Sequence, residues 1–385
     1  MVVCDMFTSG MNKFFMDRTF YINLVQTSLT GQVLPHEDCD KILTSSEIEL
    51  LPLLDAAFQV RKTYTGMRVK VHVINNIQNG LCPEDCHYCA QARTSDAPIE
   101  KYPVKNDEEI LAEAKVAYES GAYRYCMVSS GRGPSERRIE YLAQLIKKIK
   151  SFYPIHICVS AGLIDEDGAQ KLKDAGLDRL NHNLNTSERF YPKICTTHTY
   201  QERLNTLKAA NSIGLEICSG IIVGMGETHR DIIDVAVNLR ELKSPSIPVN
   251  FLIPIEGNVL NQHHGLTPEY CLRVLCFFRF LNPTAEIRVA AGREGHLRGL
   301  EVMSLYPANS LFMDGYLNTQ GSSMAKTLRM IKDAGFTIDA DKTIDELLKK
   351  TETDEIAHGF DGTKVLMKGL NELHPSLANK QPAFK

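Results

Sequence analysis

The 385-residue sequence lacks a basic excess: 43 lysines and arginines stand against 47 aspartates and glutamates, a formal net charge of −4. No surplus of positive charge is left to neutralise a phosphate backbone, which argues against nucleic acid as the main partner. No apolar run approaches the roughly 20 residues that cross a bilayer as a helix, so no membrane association is expected. The opening residues, Met1 to Leu24, lack the continuous apolar core of a secretory signal, and Asp5 and Asp17 break the acid-free character of a transit peptide. The expected setting is the cytoplasm, with a mitochondrial address as the alternative.

Cysteine is abundant, with eleven residues. In a small secreted domain such a count suggests disulfides; in a long enzyme-like chain it points to metal or redox chemistry. The odd number weakens a pure disulfide framework further. What matters is where the cysteines sit.

From about residue 68 the chain alternates short β-branched or apolar runs with segments of helical period. The candidate strands are 69–74, 124–129, 156–160, 179–184, 216–223, 249–253, 286–290 and 310–313. Asn106-Asp107-Glu108-Glu109 opens a helix as a capping box, and Thr267-Pro268 opens another with proline at the first position. Gly121, Gly176, Gly214 and Gly335 follow helical stretches, where a left-handed residue is wanted. Eight strands alternating with helices imply a parallel sheet, and eight closes a TIM-type (βα)8 barrel; the competing architecture is an open doubly wound sheet. Residues 1–65 read as a helical lead-in, with Leu50, Leu53, Leu54, Ala57 and Phe58 on one helical face. Residues 66–325 form the barrel, and 326–385 a C-terminal helix and tail. From about residue 340 the composition is polar and lysine-rich, as in a peripheral, partly disordered tail.

The strongest signal is Cys82-Pro83-Glu84-Asp85-Cys86-His87-Tyr88-Cys89, a CxxxCxxC run after the first barrel strand. Three thiolates in one short loop can ligate three irons of a [4Fe-4S] cube and leave the fourth iron open to a small molecule. Structural zinc normally takes four protein ligands. His87 could supply a fourth only from between two others, a position from which it would point away. A second set is spread over three predicted strands: Cys126, Cys158 and Cys218. One buried cysteine is usually inert core, but inward positions on different strands of a small barrel converge. Arg288 lies on a late strand, where an unpaired charge is expensive. It needs an anion inside the barrel or must point outward.

The CxxxCxxC loop on such a barrel resembles the radical S-adenosylmethionine (SAM) superfamily. With Cys126, Cys158, Cys218 and Arg288 added, the chain resembles the biotin synthase family in particular. The likeness runs through Asn181-His182-Asn183-Leu184-Asn185-Thr186-Ser187, Thr199-Tyr200-Gln201-Glu202-Arg203, Pro248-Val249-Asn250-Phe251-Leu252 and Ala290-Ala291-Gly292-Arg293-Glu294, over residues 50 to 320. The resemblance implies a sulfurtransferase that inserts sulfur into dethiobiotin. Cys82, Cys86 and Cys89 would hold a [4Fe-4S] cluster that binds and cleaves SAM. Cys126, Cys158, Cys218 and Arg288 would hold a [2Fe-2S] cluster that donates sulfur.

It further implies Tyr88, Asn183, Asn185, Arg203 and Ile222 as SAM contacts, Ile222 within the block Cys218 to Thr228 around the adenine. Arg124, Asn181, Asn183 and Asn250 are implied near the substrate, where asparagine amides can both donate to and accept from a ureido ring. A flavodoxin or ferredoxin as electron donor and a homodimer complete the expectation. Asn185 stands where some family members carry aspartate, and 128–133 departs from the aromatic form of that loop. Cys4, Cys39, Cys195, Cys271 and Cys276 match no ligand of the family, and Cys271 and Cys276 read as core. Two other functions fit parts of the pattern. A hydrogenase-maturation or methylornithine-type radical enzyme of the same barrel subgroup is expected to lack the three barrel cysteines and the arginine. A non-catalytic iron–sulfur scaffold would not cleave SAM.

Overall fold

The computed structural model describes residues 17–349, 365 and 367–374; Cys4 lies outside them. Three helices lead in: α1 (Arg18–Leu29), α2 (His36–Thr44) and α3 (Leu50–Thr65). A repeating unit follows as β1 (Arg68–Gln78), α4 (Asp107–Glu119), β2 (Arg124–Ser129), α5 (Glu136–Phe152), β3 (His156–Ser160), α6 (Glu166–Asp174) and β4 (Arg179–Asn181). It continues as α7 (Tyr200–Ser212), β5 (Glu216–Cys218), β6 (Ile221–Val223), α8 (His229–Glu241), β7 (Ser246–Phe251), α9 (Pro268–Leu281), β8 (Glu286–Val289) and β9 (Ser310–Phe312).

The strands pair in parallel in sequence order, and β9 pairs back onto β1. The sheet is therefore closed, and the open doubly wound alternative is excluded. β5 and β6 share one place in the ring, which makes eight staves. The predicted strand over 216–223 breaks at Ser219-Gly220, because the chain there presses against β7. A Cβ on Gly220 would lie 1.8 Å from the Pro248 carbonyl oxygen, so only glycine permits the approach.

Local chemistry sets the helix starts. Asn106 and Glu109 form a reciprocal capping box on α4, and Thr267 accepts from the Tyr270 N–H with Pro268 in the first turn of α9. α3 buries Leu53, Leu54, Ala57 and Val60, and packs on α9, which is buried from Cys271 to Leu281. Each such leucine or valine side chain contributes about 1.5–3 kcal/mol. Arg279 of α9 is also buried. Its guanidinium donates to the carbonyls of Pro283, Ala285 and Pro307 and to Asn309 Oδ1, which fixes the loops entering β8 and β9.

The C-terminal stretch departs from expectation. Thr337–Ile338 extends the sheet beside β1. Farther on, Met367 bridges Thr319, and the Lys368 N–H donates to the Asn318 carbonyl at 2.7 Å. Val365 and Met367 cover Ala90, Ala97 and Ile255. Buried Lys105, ion-paired with Glu113 at 2.8 Å, donates to the Leu373 carbonyl. The described part of the tail is a strap across one end of the barrel, held by a few apolar side chains set in a polar composition.

Candidate functional site

The carboxyl ends of the strands open into a cavity of about 270 Å³. Cys82, Cys86 and Cys89 line it from the loop after β1, and Cys126, Cys158, Cys218 and Arg288 line it from within the barrel. His87, the candidate fourth zinc ligand, is not part of the wall.

The loop is pinned before any metal is considered. The His87 N–H donates to the Ile194 carbonyl at 2.9 Å. Asp85 accepts from the Thr196 and Thr197 N–H groups at 2.9 and 3.2 Å, and Glu84 from the Thr197 hydroxyl at 2.7 Å. Two carboxylates thus fasten the cysteine loop to residues 194–198, so its thiols do not depend on their own short turns for position.

Inside the barrel, register delivers the second set. Cys126 stands beside Cys158 across β2 and β3, and Cys218 beside Asn181 across β4 and β5. Cys158 is in hydrogen-bonding contact with both other thiols. The hydrogen bond to Cys158, helped by the Arg288 and Arg124 charges, pulls the Cys126 thiol below its ordinary range despite burial. Cys158, the donor, is pushed up to about 12.

Arg288 points inward and is not unpaired. Glu286, two residues earlier on the same face of β8, forms an ion pair with it. Its Nη1 lies 3.5 Å from Cys218 Sγ, its Nε donates to the Ser310 hydroxyl at 3.0 Å, and its Nη2 to the Ser246 hydroxyl at 3.0 Å. Burial would lower the guanidinium pKa, but Glu286 and the thiols more than offset this and keep it protonated. Glu286 also holds Arg179 at 2.8 Å and His72 Nε2 at 3.0 Å. The signal for Glu286 is its i, i+2 relation to Arg288; His72 and Arg179 come from distant strands and carry no comparable mark.

Tyr88, Asn181, Asn183, Asn185, Arg203, Ile222 and Asn250 all line the cavity. Asn185 donates to the Tyr88 hydroxyl at 2.5 Å and has φ of 68°, a left-handed conformation that asparagine tolerates better than most residues. Arg203 donates to the Asn183 carbonyl at 2.8 Å and reaches the Tyr88 hydroxyl at 3.4 Å. Asn250 donates to the Ile221 carbonyl at 2.9 Å and accepts from the Ala291 N–H at 3.2 Å. One N–H and one lone pair of its amide remain for a ligand. Arg124 departs from expectation: it is buried at the start of β2, two residues before Cys126, and does not line the cavity.

Both thiol sets fit iron–sulfur clusters. Each offers three soft donors to one enclosed space. Arg124 Nε and Nη1 are buried with no hydrogen-bond partner among the described residues, and this guanidinium sits two residues before Cys126, off the cavity wall, where its positive charge favours thiolate and anionic groups nearby.

Comparison with known proteins agrees with this geometry. The model of the radical SAM superfamily matches residues 77–238, and that of the biotin and thiamin synthesis associated domain matches 248–337. The chain is 56% identical to a biotin synthase of Magnetococcus marinus over 316 residues, covering 82% of this chain and 98% of that protein. It is 57% identical to a biotin synthase of Acaryochloris marina, covering 80% and 90%. Among solved structures, a methylornithine synthase superposes with a TM-score of 0.71 at 20% identity, covering 81% of this chain and 96% of that one. The FeFe-hydrogenase maturase HydG of Carboxydothermus hydrogenoformans gives 0.72 at 19%, covering 85% and 81%. At such identities the two structures speak for the fold alone.

Proposed function

The chain belongs to the biotin synthase family of the radical SAM superfamily, and from that premise we propose how its residues share the work of inserting sulfur into dethiobiotin. The observation that carries the proposal is the single cavity lined at one end by Cys82, Cys86 and Cys89 and at the other by Cys126, Cys158, Cys218 and Arg288. When bound, a [4Fe-4S] cluster on the first set supplies the electron that cleaves SAM, and a [2Fe-2S] cluster on the second supplies the sulfur.

The protein's part is placement. Tyr88, Asn185 and Arg203 form one hydrogen-bonded group beside the cysteine loop, suited to hold SAM with Ile222 against its adenine. Asn181, Asn183 and the free half of the Asn250 amide face the space between the thiol sets, where a ureido ring would lie. Arg124, away from the wall, serves the inner cluster by its charge and does not touch substrate. Enclosure keeps water and stray hydrogen donors from a carbon radical, and fixed geometry brings the reacting carbon to sulfur.

The reading includes a flavodoxin or ferredoxin as reductant, a homodimer and a cytoplasmic setting. Among the described residues no helix is long and apolar enough to cross a membrane. Anaerobic reconstitution followed by mass spectrometry of the dethiobiotin products tests the proposal, with biotin as the expected product. Replacing Cys82, Cys86 or Cys89 by alanine should abolish SAM cleavage; 5′-deoxyadenosine from a variant without that cluster would sink the assignment.

A further inference from the structure

Cys195 has no part in either thiol set, yet its Sγ lies 3.8 Å from Cys86 Sγ and 3.3 Å from His198 Nδ1. All three residues are buried, and their ligand atoms lie within 4.8 Å of one another. We propose that Cys86, Cys195 and His198 form a mononuclear site for a borderline-soft divalent cation, ferrous iron or zinc, in the enzyme before its radical cluster is built.

The spacing supports this. Two sulfurs each about 2.3 Å from a tetrahedral zinc stand about 3.8 Å apart, and sulfur and imidazole nitrogen about 3.6 Å. The Cys86–Cys195 and Cys195–His198 pairs meet these separations to within a few tenths of an ångström, and the third pair lies within 4.8 Å. Cys195-Thr196-Thr197-His198 supplies two donors from one short turn, and that turn is already pinned to the cysteine loop by Asp85 and Glu84. Glu84 hydrogen-bonds to His198 Nδ1 and orients the ring; the trio supplies three protein ligands and leaves the fourth position to a small exogenous ligand. On the far side of the ring, His198 Nε2 meets the Tyr191 hydroxyl at 2.8 Å and Arg203 Nε at 3.1 Å. These contacts fix the orientation of the ring, the outer support that metal-bound histidines ordinarily have. Loading releases the two thiol protons.

Cys86 belongs both to this trio and to the set assigned to the radical cluster, so the single ion and the cube compete. That competition rests on the cluster assignment; the metal binding itself does not. The site would give a first ferrous ion a place at the loop, and zinc there would delay cluster assembly.

The test uses the full chain freed of iron and titrated anaerobically with Co2+. A Cys82→Ala/Cys89→Ala variant keeps the trio and removes the other two loop thiols. It should still bind Co2+ with tetrahedral d–d and thiolate charge-transfer absorption, displaced by Zn2+. Adding Cys195→Ser or, independently, His198→Gln should weaken that binding tenfold or more. The barrel thiols are common to all variants and cancel in the difference spectra. In the wild-type chain, one equivalent of Zn2+ should slow [4Fe-4S] reconstitution, and Cys195→Ser should relieve the delay. Cobalt affinity and spectra unchanged by both added substitutions would overturn the proposal, as would no tetrahedral cobalt in the double variant. Failure of the cluster assignment shows elsewhere, as SAM cleavage surviving the loss of Cys82, Cys86 or Cys89.

Discussion

Glu286 and Arg288 lie two residues apart on one barrel strand, both facing the interior, and pair there beneath the three barrel thiols. The carboxylate also serves Arg179 and His72, so it is the anionic centre of a buried group with two guanidiniums. Removing one member of such a group leaves an uncompensated charge.

Glu286→Gln should therefore destabilise the protein by about 3–5 kcal/mol, read from denaturant unfolding. Arg288→Met should cost less, because Glu286 keeps Arg179 and His72. It should also retain the [2Fe-2S] absorption and part of the activity, since three thiolates supply most of the binding and a protonated guanidinium is a poor ligand. A larger loss for Arg288→Met than for Glu286→Gln would show that the arginine, and not the carboxylate, is the hub.

Tyr88→Phe removes the hydroxyl that Asn185 and Arg203 share. One hydrogen bond of about 1–1.5 kcal/mol corresponds to roughly a tenfold weaker hold on SAM. Equilibrium binding of SAM to the reconstituted variant measures it. Unchanged affinity would place the cofactor elsewhere in the cavity.

Truncation before residue 350 removes the strap that bridges Thr319 and covers Ala90 and Ile255. Residues 317–319 line the cavity. The clusters should still assemble, while the ratio of 5′-deoxyadenosine formed to biotin formed rises several-fold as the site leaks. An unchanged ratio would make the strap a matter of stability only.

His296 is buried against the Leu252 carbonyl at 2.8 Å, and burial lowers its pKa from 6.5 to about 4. The folded state binds this proton less readily than the unfolded chain does. Its contribution is complete above about pH 6.5 and is lost as the pH falls towards 4, at most on the order of 3 kcal/mol. His296→Asn should flatten the fall in unfolding free energy between those limits. A fall just as steep in the variant would assign the acid limb to other groups.

Much of this site is legible in the chain because its chemistry is local. Cys82, Cys86 and Cys89 share one loop, and Cys126, Cys158 and Cys218 sit on strands that the alternation of runs makes visible. The barrel follows from eight such runs and their caps. Contacts made by chain closure leave no local mark. His72 and Arg179 meet Glu286 from distant strands, and Cys195 meets Cys86 only because carboxylates tie two loops together. Composition misleads on the tail, where Val365, Met367 and Leu373 suffice to hold a polar segment in place. Arg124 was expected at the substrate, but its place at the start of β2 puts it behind the thiols.

The central claim is that one cavity joins a radical-generating end to a sulfur-donating end. The direct test is to quantify biotin and 5′-deoxyadenosine together from the anaerobically reconstituted Cys126→Ala/Cys158→Ala variant, beside the wild-type chain. The account predicts continued, slower formation of 5′-deoxyadenosine, loss of the [2Fe-2S] absorption and no biotin. Biotin at the wild-type rate from protein lacking that absorption would contradict it.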